Sequence, residues 1–456
     1  MVNRRGFMKS AAAAGGLMLL PSWSAGKQVG PNSKLNIALV GVGGIGGMAI
    51  GQLLPCKQAN IVALCDVDDA RAAKNYKAFP ASMPRFRDYR VMLDKMDKQI
   101  DAVVVSTPDH MHYPIAAWAI AKGKHVFCQK PLTRTIWEAE ELKRLAKEAG
   151  VITQMGNQGH TNEGWRLIKE WYDAGILGQI EEIHIWTNRP IWPQGDIKMP
   201  AGQPVPPTLD YNLWLGVAPY QPYNKAFVPF NWRGLRNYGT GAAGDMACHF
   251  LDVPYSAFDL GFPMSVKGNS TPFNDYSWPS QASSVMTFVN PRGVDNRIRL
   301  HWYDGGRKPK AIKRVDKAFL DDPRNNNATF IVGTKETVYT NEYGMNTRIW
   351  PAARMKELMK DGKLPQKTVP RSVAPGKPFV EWTLACIEGK QPKGNFDYAA
   401  PFTEMALLGM IALCFPDREL NYIPSTMSFA GCPEADKFVR SQYEYRSEFL
   451  PSKIML

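Results

Sequence analysis

Hydrophobic positions along the chain fall into two regimes. Between residues 35 and 155, short continuous apolar runs (35–40, 61–65, 101–106, 125–128 and 151–155) alternate with segments of helical period. The runs are too short for helices and carry no polar alternation, so they read as strands buried on both faces. Residues 48–54, 112–121 and 135–149 read as the intervening helices. Thr135 followed by Glu138 makes a capping box, and Gly150 stands just past the last helical turn. This alternation predicts an α/β domain with a doubly wound parallel sheet.

Beyond residue 156 the texture changes. Residues 186–238 are crowded with Trp, Tyr, Phe and Pro, and 283–289, 297–302 and 329–339 alternate with period two between Gly, Pro and Asn. These predict antiparallel strands, and 381–387 and 402–413 read as helices. The second domain is therefore expected to be α+β, with a large, mostly antiparallel sheet carrying helices on one face. The expected division is a leader at 1–26, domains at 33–155 and 156–440, and a tail at 441–456.

The turn after the first strand is Gly41-Val42-Gly43-Gly44-Ile45-Gly46, and Asp66 ends the second strand twenty residues after Gly46. With strand, turn, helix, second strand and acid in place, this is the dinucleotide fingerprint of a Rossmann domain. Gly41 permits the tight turn, Gly43 lets backbone approach a pyrophosphate, and Gly46 lets helix and strand pack closely. Gly44 and Ile45 complete the cradle at the helix N-terminus. A carboxylate at Asp66 accepts hydrogen bonds from a ribose 2′-hydroxyl and repels a 2′-phosphate, so NAD is expected rather than NADP. The loop Thr107-Pro108-Asp109-His110 and the pair Gln129-Lys130 end later strands at the same sheet edge. Thr107, Pro108, His110, Gln129 and Lys130 are thus expected to touch the cofactor.

The front of the chain adds a location. Arg4-Arg5-Gly6-Phe7-Met8-Lys9, a short apolar core at 11–20 and small residues at 22–26 match a twin-arginine export leader. A periplasmic protein without a membrane anchor is expected. The net charge of +13 includes that leader and six basic residues between Arg307 and Lys317. No nucleic-acid-reading module accompanies the charge, so nucleic acid is not expected as a partner. Seven scattered cysteines read as core residues rather than a disulfide framework or metal cluster, and no metal is expected.

In order along the chain, the glycine fingerprint, Ser106-Thr107-Pro108-Asp109-His110-Met111-His112, Gln129-Lys130-Pro131-Leu132 and Gly244-Asp245-Met246-Ala247-Cys248-His249 resemble the Gfo/Idh/MocA oxidoreductases. The resemblance spans about residues 34–345. It implies that Lys130, Asp245 and His249 surround the nicotinamide and a sugar; the family's glutamate before the lysine is here Gln129. The residues agree with such chemistry. Oxidising a carbinol needs a base for the hydroxyl proton and a donor for the developing alkoxide. Asp245 and His249, four apart, share one helix face. His249 is expected to act as acid and base because an imidazole ordinarily titrates near neutrality, with Asp245 binding a sugar hydroxyl or orienting His249. His160, Trp232 and Arg233 are expected to contact substrate.

An exported enzyme lacks a nicotinamide pool, so bound NAD would have to be restored in every cycle. The expected function is oxidoreduction at a hydroxyl of a sugar or glycoside. The alternatives are a redox-neutral NAD-dependent glycosidase and a non-catalytic carbohydrate- or NAD-binding protein. The resemblance implies a homo-oligomer, a dimer or tetramer.

Overall fold

The computed structural model describes residues 34–452, so the expected leader at 1–26 lies outside the described residues. Six parallel strands form the first sheet: β1 (Leu35–Val40), β2 (Ala59–Cys65), β3 (Arg85–Phe86), β4 (Ala102–Val105), β5 (His125–Gln129) and β6 (Thr153–Gly156). Their order is β3-β2-β1-β4-β5-β6. The order reverses at the β1–β4 pair, where Val40 lies beside Val105. A crevice at the carboxyl ends of these strands is the binding position this topology creates. All four residues of β4 are buried, as a strand covered on both faces must be.

Helices α1 (Gly46–Leu53), α2 (His112–Ala121) and α3 (Ile136–Ala149) flank this sheet. The expected cap of α3 is present in both directions. Glu138 N–H donates to Thr135 Oγ1 at 3.3 Å, and Thr135 N–H donates to Glu138 Oε2 at 2.8 Å. Gly150 closes the helix at φ 63°.

The second sheet has nine strands: β7 (Ile180–Trp186), β8 (Ser265–Ser270), β9 (Ala282–Val294), β10 (Arg297–Tyr303), β11 (Ala328–Gly333), β12 (Thr337–Thr340), β13 (Arg348–Trp350), β14 (Glu419–Ile423) and β15 (Ser428–Ala430). They run β13-β12-β11-β7-β10-β9-β8-β14-β15. The sheet is mostly antiparallel, and its centre is the parallel pair β7–β10. The stretch 329–339, expected as one strand, is the hairpin of β11 and β12, turned at 334–336. Helices α4 (Gly164–Asp173), α5 (Gly241–Phe258) and α7 (Phe396–Ala412) accompany it, and α6 (Pro378–Glu388) lies between α5 and α7 in sequence. Helix α5 is buried over its entire length.

Packing does not respect the division read from the sequence. Phe379 and Trp382 of α6 lie against Phe127 of β5, at ring-centroid distances of 4.2 and 5.7 Å, and all three are fully buried. Helix α6 therefore covers the first sheet although it follows the second domain in sequence. The described part of the expected tail, residues 441–452, packs against the first domain as well. Tyr445 donates to Glu138 at 2.6 Å, and Tyr89 and Trp118 donate to the Phe449 carbonyl at 2.7 and 3.0 Å. These long-range pairings depend on side chains that no local pattern couples.

Phe379→Ala is expected to lower the free energy of unfolding by about 3–5 kcal/mol, the usual range for truncating a buried aromatic. Exposed Met359→Ala is expected to stay within about 0.5 kcal/mol of the parent. Urea titration of both variants checks this; equal effects would remove α6 from the core of the first sheet.

Candidate active site

The glycine turn forms one wall of a cleft at the switch point. Gly41 has φ 83°, and a Cβ there would stand 2.4 Å from the Ser106 carbonyl oxygen. A Cβ on Gly46 would stand 2.1 Å from the Gly41 carbonyl oxygen, so helix and turn meet with no room for a methyl group. Asp66 closes the turn by accepting from Gly43 N–H at 2.8 Å and from Asp68 N–H at 3.0 Å. Burial raises the Asp66 carboxyl above its ordinary range, and those two amides oppose the shift.

The cleft measures about 960 Å³ with its open mouth included, and Gly41, Gly43, Gly44, Ile45, Asp66, Thr107 and Pro108 all line it. Gly46 lies behind them as a packing residue, as its spacing implied. The opposite wall comes from the aromatic-rich segment, through Leu209, Trp214, Val228, Trp232 and Arg233. Two backbone hydrogen bonds tie that segment down near Asp66: Asp69 N–H to the Thr208 carbonyl at 3.1 Å, and Asp210 N–H to the Val67 carbonyl at 2.8 Å. A backbone cradle, a helix N-terminus and a flat apolar wall fit a dinucleotide.

Lys130 sits one residue beyond β5 and does not itself line the cleft. Its Nζ donates to Asp245 Oδ1 at 2.9 Å and to the Asp245 carbonyl at 3.0 Å. Arg233 Nε stands 3.4 Å from the same carboxylate oxygen, and its guanidinium lies over Trp232 at 4.4 Å. Arg233 therefore joins the cleft wall to the Lys130–Asp245 pair. Burial alone would raise the Asp245 carboxyl, but Lys130 and Arg233 hold it down at about 2. Asp109, on the loop after β4, accepts from Thr240 N–H at 3.2 Å and from its hydroxyl at 3.0 Å.

Several expectations for the histidines change. His249 is buried, its Nδ1 has no hydrogen-bond partner, and its ring meets Tyr343 edge-on at 5.2 Å. Burial, with the charge of Lys130, pushes its pKa to about 3, not near neutrality. Asp245 does not orient it, because that carboxylate is taken by Lys130 and Arg233. His110 does not line the cleft. The short 3-10 turn after Pro108 directs its ring inward, between Trp214 and Tyr238, with Nε2 3.0 Å from the Trp214 carbonyl. Gln129 is buried with its side chain against Gly156, and its Nε2 has no partner. His160 is held by Asp252 at 2.9 Å, which also accepts from Tyr398 at 2.6 Å, one turn beyond His249 on α5.

The glycines at the start of α5 serve packing inside the protein. Gly239 abuts the Arg233 backbone and Gly241 abuts Trp278. Two residues had no assigned role. Asp109 lies within a motif already singled out, so its signal was present; Tyr343 reaches His249 from a turn with no chemical pattern.

Comparisons with known proteins agree with this geometry. The model of the oxidoreductase family GFO_IDH_MocA, NAD-binding Rossmann fold, matches residues 35–157; that of its C-terminal alpha/beta domain matches 168–274. Together they span half of the chain. The scyllo-inositol 2-dehydrogenase (NADP(+)) IolW of Bacillus subtilis is 28% identical over 38% of this chain and 38% of its own. The inositol 2-dehydrogenase of Salmonella typhimurium is 26% identical over 33% of this chain and 45% of its own. The chain thus spans less than half the length of these two curated relatives. The aldose-aldose oxidoreductase of Caulobacter crescentus, solved with glycerol, shares the fold at a TM-score of 0.58, with 15% identity over 85% of this chain and 99% of its own. Because the nucleotide half and the sheet half match one family in one order, this chain belongs to the Gfo/Idh/MocA oxidoreductases.

Proposed function

We propose that the protein is an NAD-dependent oxidoreductase acting on a hydroxyl of a sugar or glycoside, with its cofactor held tightly and restored in each turnover by passing the hydride to a second carbonyl compound. The observation that carries this reading is the Lys130 amine, fixed by two hydrogen bonds to Asp245 and joined through Arg233 to the dinucleotide cleft. Bound NAD supplies a hydride acceptor. The neutral form of Lys130 Nζ takes the proton of the substrate hydroxyl onto its lone pair, and Asp245 orients that nitrogen and pairs with the ammonium so formed. His249 stays neutral and positions substrate through a ring nitrogen; it replaces the acid–base role expected from its sequence. Trp232 and Arg233 offer a flat face and a charged fork to a sugar ring.

Tight retention is supported by the wall at 209–233, which closes the cleft opposite Asp66. Preference for NAD over NADP rests on the Asp66 carboxylate in that cleft. Export by the twin-arginine route to the periplasm rests on Arg4, Arg5 and the apolar stretch after them. A homo-oligomer is part of the same proposal. The named relatives act on inositols or aldoses, which supports a polyhydroxylated substrate.

Lys130→Ala is expected to lower kcat by about 10²–10⁴-fold while leaving NAD affinity within a few-fold, read by stopped assays and fluorescence titration. Full turnover in this variant would remove Lys130 from the chemistry. Wild-type protein incubated with an aryl glycoside and a carbonyl compound as hydride acceptor should yield a keto product without free aglycone; release of aglycone would transfer the reading to the redox-neutral glycosidase.

NAD should be recovered by mass spectrometry from protein purified without added nucleotide. Its absence, together with rapid loss of added NAD on gel filtration, would overturn tight retention.

The buried acid beside the pair gives a pH test. Burial, reinforced by Asp245 and opposed by Lys130 and Arg233, raises the Asp109 carboxyl to about 7. A folded-state value above the unfolded one gives a stability contribution that is complete below about pH 4. It is lost as pH rises through about 7. Asp109→Asn keeps an acceptor for Thr240 and cannot ionise. Relative to the parent, it is expected to gain on the order of 2 kcal/mol between about pH 5 and pH 8. Parallel pH profiles for the two proteins in thermal unfolding would show that Asp109 is not the titrating group.

A further inference from the structure

Outside the cleft, the centre of the large sheet brings together three side chains that no function above uses. β7 and β10 run parallel, and their register sets His301 directly beside His184 and Arg299 beside Glu182. Along β7, Ile183 and Ile185 face the helix-covered core, so the two-residue period puts Glu182 and His184 on the opposite face. There the two imidazoles stack almost parallel, with centroids 4.8 Å apart and planes at 14°. Glu182 Oε2 is 2.9 Å from His184 Nε2, and Glu182 Oε1 is 3.7 Å from His301 Nε2. One ligand atom from each residue lies within 4.8 Å of the others.

A histidine pair around a carboxylate is most simply a hydrogen-bonded surface cluster, and the His184–Glu182 contact is such a bond. The His301 contact is not. Its Nε2 is buried, lacks any hydrogen-bond partner, and faces the carboxylate across a gap too long for a hydrogen bond. Two ligands each about 2.1 Å from a tetrahedral ion stand roughly 3.4 Å apart. The two observed separations bracket that spacing. Adjacent central strands also hold the three residues on rigid backbone, so small side-chain rotations complete the geometry.

We infer that Glu182, His184 and His301 bind one divalent transition-metal ion of the zinc class on the outer face of the large sheet. Two imidazoles and one carboxylate are a donor set that Zn²⁺ and Co²⁺ favour over Mg²⁺ or Ca²⁺, which take oxygen ligands. Three protein ligands leave a fourth position for water or another donor. Neither histidine is near the other in sequence, so no spacing motif announces the site.

The test uses the untagged full chain, metal-stripped, titrated with CoCl₂ and then ZnCl₂. One Co²⁺ per chain is expected, with the strong visible absorption of a four-coordinate centre, displaced by Zn²⁺. Glu182→Gln and His301→Ala should each weaken Co²⁺ binding at least about tenfold, with circular dichroism and NAD affinity unchanged. Zn²⁺ should raise the midpoint of thermal unfolding in the parent and not in either variant. No cobalt spectrum in the parent, or equal binding in parent and both variants, overturns the site.

Discussion

The pair of half-buried Lys130 and buried Asp245 is the constraint around which the two halves close. The lysine comes from the edge of the parallel sheet and the aspartate from the buried helix of the other domain. Neither charge is tolerable alone out of water; removing one partner of such a pair costs about 3–5 kcal/mol. The lysine also takes the Asp245 main-chain carbonyl, which fixes its nitrogen relative to helix backbone as well as to a side chain. An amine positioned in this way has little orientation freedom left to lose. The same pair decides its neighbours. With Asp245 held ionised by two cations, a second carboxylate nearby is the one that keeps its proton, and Asp109 occupies that place.

The cleft depends on a complementary constraint. Gly41 and Gly46 let backbone approach backbone so closely that no side chain fits, which leaves amide groups at the surface of the turn. The facing wall is aromatic and belongs to the segment between β7 and α5. A nucleotide site is thus made from the most economical part of one domain and the bulkiest part of the other. That wall is anchored beside Asp66, so the domains are stitched together at that end of the cleft.

Much of this was legible because it is local. Strand–helix alternation, the glycine turn with Asp66, and the Thr135–Glu138 cap each depend on residues close in sequence, and each lies where its chemistry puts it. The lysine's partner was named as well, although Asp245 was assigned to sugar or to His249 rather than to Lys130. What could not be read is what depends on distant pairing. The stacking of Phe379 on Phe127 and the return of Tyr445 to Glu138 have no local signature. Strand β7 was missed because Glu181, Glu182 and His184 interrupt its apolar alternation; Glu182 and His184 face away from the helices. His110 was misplaced for a different reason: its motif position suggested the cleft, and the turn after Pro108 sends it inward.

Burial also redistributes the acid–base work. Free imidazole is the natural choice for proton transfer near neutrality, and three histidines stand near the site. Burial holds His110 and His249 at about 3 and His112 at about 4, each with a further push from a neighbouring positive group. His112 stands between the loops that carry Lys130 and the cleft wall, with Nδ1 2.8 Å from the Pro131 carbonyl and Nε2 2.9 Å from the Thr107 carbonyl; the neutral ring has one N–H and donates to one of the two. An imidazole that resists protonation is a poor proton store but a dependable hydrogen-bonding strut. The charges at this site are therefore carried by Lys130, Asp245 and Arg233, and His112 sits between the loops that carry Lys130 and the cleft wall.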